Sequence, residues 1–229
     1  MNTCTVSTFS APTPSVPNSG SRSFRILPNW SPDIWAFLCI LLAVNTHMIT
    51  GDSQSALIFL PDSDRQEWLR LFFHPFVHVS GYHLLLDAGA FFLLYTGLAE
   101  KRMPFRLLYM AVCGGTSLLF ALAFSPLTAA AGLCGLSGIA HGLMAVSALE
   151  MIQIPDQRKL GAISLAAVVF KSLYEIITGN VLLTFLQLGM CGSPMAACHA
   201  GGTFGGILIF CVLRISFPSR RLPKIQKGV

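Results

Sequence analysis

The sequence predicts an all-α polytopic membrane protein with six transmembrane helices, and three observations carry that reading. Of the 229 residues, 53% are hydrophobic and 11% charged, with a mean hydropathy of +0.65. A soluble domain usually carries about 25% charged residues, so most of this surface faces lipid. Apolar runs recur at about 34–49, 83–99, 105–124, 137–154, 160–178 and 196–217, each near the ~20 residues that a ~30 Å hydrocarbon core requires. Basic residues then fall in alternate connections: Arg22 and Arg25 before the first run, Lys101, Arg102 and Arg106 after the second, Arg158 and Lys159 after the fourth, and Arg220, Arg221, Lys224 and Lys227 after the sixth. The positive-inside rule makes that side cytoplasmic and puts both termini there. The net charge of +5 therefore reports topology, and no nucleic-acid partner is needed to explain it. The runs lack the period-2 alternation of a membrane barrel.

Taken in order, residues 1–30 are rich in Ser, Thr and Pro and read as a disordered cytoplasmic tail. The tail has no apolar core of the signal-peptide kind, so the first span is expected to act as an uncleaved anchor. Residues 31–218 form the six-helix membrane domain, and 219–229 a basic cytoplasmic tail. Between the first and second spans lies "EWLRLFFHPFVHVSGYHLLLD", in which Trp68, Phe72, Phe73, Phe76 and Val77 are mixed with polar groups. That stretch is too interrupted to span and predicts a partly membrane-embedded outer loop.

The topology decides which polar groups can meet. The second, fourth and sixth spans all begin at the outer face, with His83 and Asp87 opening the second, Ser137 the fourth and His199 the sixth. Ionisable groups are costly at membrane depth and mark function when they coincide. Ser137 lies in "GLCGLSGIAHG", a glycine-rich gap between apolar runs. At a helix start, its surroundings include unsatisfied backbone N–H groups that can hold an oxyanion, and Gly135 and Gly138 allow close approach of a substrate carbonyl. A lone Ser beside Gly is ordinarily a packing residue, so the case rests on a base. Two histidines are candidates. His141 lies one turn deeper on the same helix face, where it is better placed to brace the interior. His199 lies in "ACHAGGTFGG", where Gly202 and Gly206 share its stripe and can bring that helix against Gly138 and Gly142. That crossing would carry His199 to Ser137. His74 and His78 are read as bracing the loop. CxxC is missing, and no metal and no other cofactor is expected.

At this point the chain resembles the rhomboid intramembrane serine proteases over about residues 65–210. The family pattern of Trp-Arg, His and His-x-x-x-Asn is similar to "EWLRLFFHPFVHVSGYHLLLD"; its Glu after the second span to Glu100 in "GLAEKR"; its Gly-x-Ser-Gly to "GLSG"; and its Ala-His-x-x-Gly-x-x-x-Gly to "CHAGGTFGG". The resemblance implies a six-helix rhomboid-like bundle with Ser137 as nucleophile, His199 as base and no third acid. It implies an oxyanion site built from His83, the Ser137 amide and the neighbouring turn at Leu136, with His78 structural. "GLSGIAHG", the six-span core and the small size look most like the rhombosortase branch. That branch implies, as partners, the bilayer and membrane-anchored substrates that end in a Gly-Gly motif, a transmembrane helix and a basic cluster. Cleavage near those glycines in a bacterial inner membrane, with the site open to the periplasm, is implied, as is transfer of the acyl group to a lipid amine. A non-catalytic rhomboid-like membrane-protein binder is the other class, and the presence of both Ser137 and His199 argues against it.

Two positions leave alternatives open. Asp87 stands where many rhomboids have Asn: it either donates a hydrogen bond as a neutral carboxyl or accepts from His83 one turn earlier, and orientation of His83 is the favoured reading. Cys134 and Cys191 both face the oxidising side. They either form a bridge tying the serine loop to the helix of His199, or remain two thiols packed near the site.

Overall fold

A computed structural model of the chain describes residues 31–46, 48, 57–61, 67–182, 185, 188, 191 and 195–217. The expected tails, 1–30 and 219–229, lie outside the described residues, together with their basic side chains and Cys4. Helices dominate: α1 (Pro32–Val44), α2 (Glu67–Phe73), α3 (Gly81–Gly97), α4 (Met103–Phe124), α5 (Leu127–Ala131), α6 (Ser137–Ile152), α7 (Arg158–Thr178) and α8 (Ala196–Ser216). Among the described residues the one strand-like feature is an isolated antiparallel bridge between Phe59 and Leu133.

All six apolar runs are helical, but not all at the expected length. Residues 103–124, 155–178 and 196–216 are long and apolar enough to cross a membrane; α3 qualifies together with 68–76 across an 82° bend; α1 and α6 are shorter apolar helices. The run expected at 34–49 is trimmed to end at Val44, for a local reason, and the run expected at 137–154 ends at Ile152. At α1 the Asn45 side chain turns back, donating from Nδ2 to Leu41 O and Phe76 O, and its Oδ1 accepts the His78 N–H. α6 begins at Ser137, where its run was expected to begin, and the loop before it contains Gly132 (φ 73°) and Gly135 (φ 98°), left-handed conformations that a helix cannot include and that favour glycine. Non-helical backbone at membrane depth is tolerated where protein groups satisfy it. Here Leu133 and Phe59 exchange N–H···O bonds of 3.1 and 2.8 Å, and Gly135 N–H donates to His74 O.

α8 sits at the centre. Its apolar window is 72% buried, against 22% for the windows of 103–124 and 155–178. Small residues on two of its faces allow this. A Cβ at Gly202 or Gly206 would overlap the carbonyl of Gly138 or Gly142 on α6, and one at Gly201 or Gly205 would overlap Thr116 on α4. In lipid no hydrophobic force drives helices together, so such close backbone packing has to supply the association. Phe91, Tyr95 and Leu143 are fully buried in an apolar cluster, while other large apolar side chains point outward, with Leu93, Ile177 and Ile215 three-quarters or more exposed. At the end away from Ser137, the Glu150 carboxylate accepts the Ala99 and Glu100 N–H groups, and Asp33, Tyr95 and Arg106 form a buried polar cluster. Ser80 caps α3 by accepting the His83 N–H. α6 has no side-chain cap of its own, which bears directly on the site.

Candidate active site

The first amide of α6 is capped from another helix. Ser137 N–H donates to Asp87 Oδ2 at 3.1 Å, and His83 Nε2 lies 3.2 Å from the same oxygen. An ionised carboxyl in that position can only accept, which goes with the His83 proton on Nε2. His78 Nε2 is 3.6 Å from Asp87 Oδ2, and its Nδ1 is 3.0 Å from Phe76 O. Gly135 has to be glycine here, since a Cβ would stand 2.8 Å from Asp87 Oδ2 and 3.0 Å from His83 Nε2. Leu136 contributes a fully buried side chain, and its carbonyl accepts the Ala140 N–H. One carboxylate oxygen thus receives the Ser137 amide and the His83 imidazole together.

On the other side of Ser137 the crossing of α6 and α8 brings in His199. Gly202 lies against Gly138 and Gly206 against Gly142, and His199 Nε2 is 3.2 Å from Ser137 Oγ. His199 Nδ1 is 2.6 Å from Glu175 Oε2 of α7. That contact suits a neutral imidazole with its proton on Nδ1, in which Nε2 presents its lone pair to the serine hydroxyl. The Cys198 thiol is 3.9 Å from the same Oγ. The geometry can take a proton from Ser137 and return it to a leaving group on the same side.

His141 is occupied elsewhere. Its Nδ1 donates to Ser137 O at 2.7 Å, its Nε2 accepts from Lys171 Nζ at 2.9 Å, and its ring stacks on His199 with centroids 4.1 Å apart. Both nitrogens are engaged, so His141 braces the His199 ring and is not free to accept the serine proton. Ligand atoms of His141, Glu175 and His199 lie within 4.8 Å of one another, close enough to suggest a metal. The Lys171 ammonium stands in that cluster, bonded to both His141 and Glu175, and supplies the positive charge there.

Cys134 and Cys191 are both thiols in the structure. Burial pushes the Cys134 thiol up to about 12, with Asp87 and Cys198 adding to the shift, and burial raises Cys191 as well. Neither is a thiolate near neutral pH, and the thiolate is the form that reacts.

A family model described as Rhomboid domain matches residues 65–216, more than half of the chain. The chain belongs to the rhomboid family. It is thereby a multi-pass helical membrane protein of a family of intramembrane proteases that act on membrane-protein substrates within the bilayer. No curated protein and no solved structure matches it. Against the rhomboid expectation of a pair without a third acid, the structure puts the Glu175 carboxylate on the far nitrogen of His199, with Lys171 beside it. The signal for both was present in the sequence: "FKSLYEI" places two ionisable residues four apart inside an apolar run, where charge is rare and by default functional.

Proposed function

We propose that this rhomboid is an intramembrane serine endopeptidase in which Ser137 is the nucleophile and His199 the general base. The observation that supports this most is the 3.2 Å contact of Ser137 Oγ with a His199 nitrogen whose lone pair is exposed by the Glu175 bond. Ser137 Oγ attacks the scissile carbonyl while its proton passes to His199 Nε2. The same proton then goes to the leaving amine, and an acyl group remains on Oγ. The developing oxyanion takes the place of Asp87 Oδ2, a point at which the Ser137 amide and His83 already converge. Gly135 keeps that point open to a carbonyl, and the resting carboxylate there imitates the charge that forms in the transition state.

Within this class the reading is of rhombosortase type. The substrate is a membrane-anchored protein with a C-terminal Gly-Gly motif, a transmembrane helix and a basic cluster, cut near its glycines. Glycine suits the site because an intact helix hides its carbonyls and Gly loosens it by ~1 kcal/mol per residue relative to Ala. The acyl-enzyme is resolved by water or by a lipid amine. The alternating basic loops support a six-span topology with both termini cytoplasmic and the site open to the opposite side, and the rhombosortase resemblance makes that membrane a bacterial inner membrane and that side the periplasm. Mass spectrometry of a processed substrate's new C-terminus tests this: a free carboxylate or an amine-linked lipid beside a glycine is expected, and neither with Ser137→Ala. Unchanged processing by Ser137→Ala would overturn the assignment.

A further inference from the structure

Resting on the peptidase reading, we infer that Glu175 is a positioning residue that extends the Ser137–His199 pair into a Ser–His–Glu triad, held in place by Lys171 and His141. The bond from His199 Nδ1 to Glu175 Oε2 is 2.6 Å long, and Glu175 is fully buried. The other carboxylate oxygen, Oε1, accepts from Lys171 Nζ and, at 2.8 Å, from the Leu182 N–H. Each oxygen therefore has a separate duty. Oε1 is anchored by an ammonium and a backbone amide, which fixes the rotation of the carboxylate. Oε2 is left facing one partner, the imidazole.

A lysine four residues before a glutamate on one helix could be only a buried ion pair neutralising itself. Two features go beyond that need. Lys171 also donates to His141 Nε2, and His141 lies flat against His199, 12° from parallel. The imidazole is thus held edge-on by Glu175 and face-on by His141, with both supports tied to one ammonium. One turn along α8, Thr203 and Ser172 of α7 share a 2.7 Å hydrogen bond that keeps the two helices in register. Facing His199 are therefore Glu175 and Lys171 from α7, and Ser137 and His141 from α6. Asp87 and His83 of α3 lie beyond Ser137.

The proton balance is simple. As Ser137 Oγ bonds to the substrate carbon, its proton moves to His199 Nε2. The imidazolium then has two N–H groups, and Nδ1–H stays on His199, donating to Glu175. Glu175 takes no proton. Its role is to fix the tautomer and to stabilise the imidazolium, as the aspartate does in soluble serine proteases.

The substitution that separates positioning from packing is Glu175→Gln. The Lys171 ammonium and the Leu182 N–H are both donors, so the Gln carbonyl oxygen must stay at the Oε1 place. The Gln amide then occupies the Oε2 place, where it can only donate. It drives the His199 proton from Nδ1 to Nε2, the wrong nitrogen for a base, while the anchoring bonds persist. The rate of fluorophosphonate labelling of Ser137 should fall by about 10²- to 10⁴-fold, and Glu175→Asp should recover at least about tenfold of that loss. In parallel, nitrogen-15 NMR of histidine-labelled protein in micelles, with His199 assigned by substitution, should show the Nδ1–H tautomer in the wild type and Nε2–H in Glu175→Gln. Labelling of Glu175→Gln within about threefold of wild type, or an Nε2–H tautomer in the unsubstituted protein, would overturn the triad. Absence of labelling in the wild type would count against the peptidase reading itself, and the tautomer would still decide whether Glu175 positions His199. If Glu175→Gln does not accumulate, the wild-type tautomer and the Glu175→Asp rate carry the decision.

Discussion

Asp87 is the residue whose chemistry the structure sharpens most. It accepts from His83, and it also takes the Ser137 amide that an oxyanion would need. A substrate therefore has to displace a charge-assisted hydrogen bond, the kind worth about 1.5–3 kcal/mol. Asn at this position can still accept from His83 while binding the amide less strongly. Asp87→Asn should process substrate within about tenfold of wild type, and complete loss of activity in a turnover assay would contradict this account. His141 makes a contrasting case, since its two nitrogens serve Ser137 O and Lys171. His141→Ala should lower thermal stability and rate yet leave measurable labelling of Ser137, whereas an inert His141→Ala beside an active His199→Ala would reverse the base assignment. For the cysteines, alkylation of denatured, unreduced protein should add seven groups, one per cysteine; two fewer would reveal a bridge. At this scale the sequence displayed Ser137, His199, His83 and Asp87, because each lies near the start of an apolar run. Glu175 and Lys171 lie inside a span and become site residues only through the packing of α7 on α8, which no spacing rule conveys.

Among the elements, the crossing of α6 and α8 determines whether Ser137 and His199 meet. It depends on glycines whose missing Cβ lets one backbone touch another. Gly202→Ala would drive a methyl group into the Gly138 carbonyl, which cannot rotate away; overpacking of this kind costs about 1–3 kcal/mol. Gly89 on α3 has nothing within 4 Å of a Cβ, so Gly89→Ala should be neutral or slightly stabilising. Thermal unfolding in one detergent should separate the two variants, and equal behaviour would mean that the glycine contact does not hold the helices. The stripe of Gly202 and Gly206 was legible because its period is that of a helix. The end of α1 was not. Asn45 ends that helix through bonds to residues more than thirty positions away, while an apolar run shows only where a helix is permitted.

For the whole molecule, a buried apolar cluster that includes Phe37, Phe91, Leu136 and Leu143 lies beside buried polar groups and close backbone contacts, while many further Leu, Ile and Phe side chains are exposed on the outer surface. The basic loops predict its orientation. Reporter fusions ending after Arg102 or Lys159 should fluoresce as cytoplasmic proteins, and one ending in the loop before Ser137 should be active as a secreted phosphatase; the reverse pattern would invert the topology. The central claim, that α3, α6 and α8 assemble a serine activated by histidine, has one most direct measurement. Detergent-solubilised protein is treated with a fluorophosphonate, digested, and the adduct located by peptide mass spectrometry. The expected result is an adduct on Ser137 in the wild type, none on any residue in Ser137→Ala, and a rate lowered by at least about 10²-fold in His199→Ala. An adduct elsewhere, or labelling of Ser137 that is unchanged in His199→Ala, would contradict it.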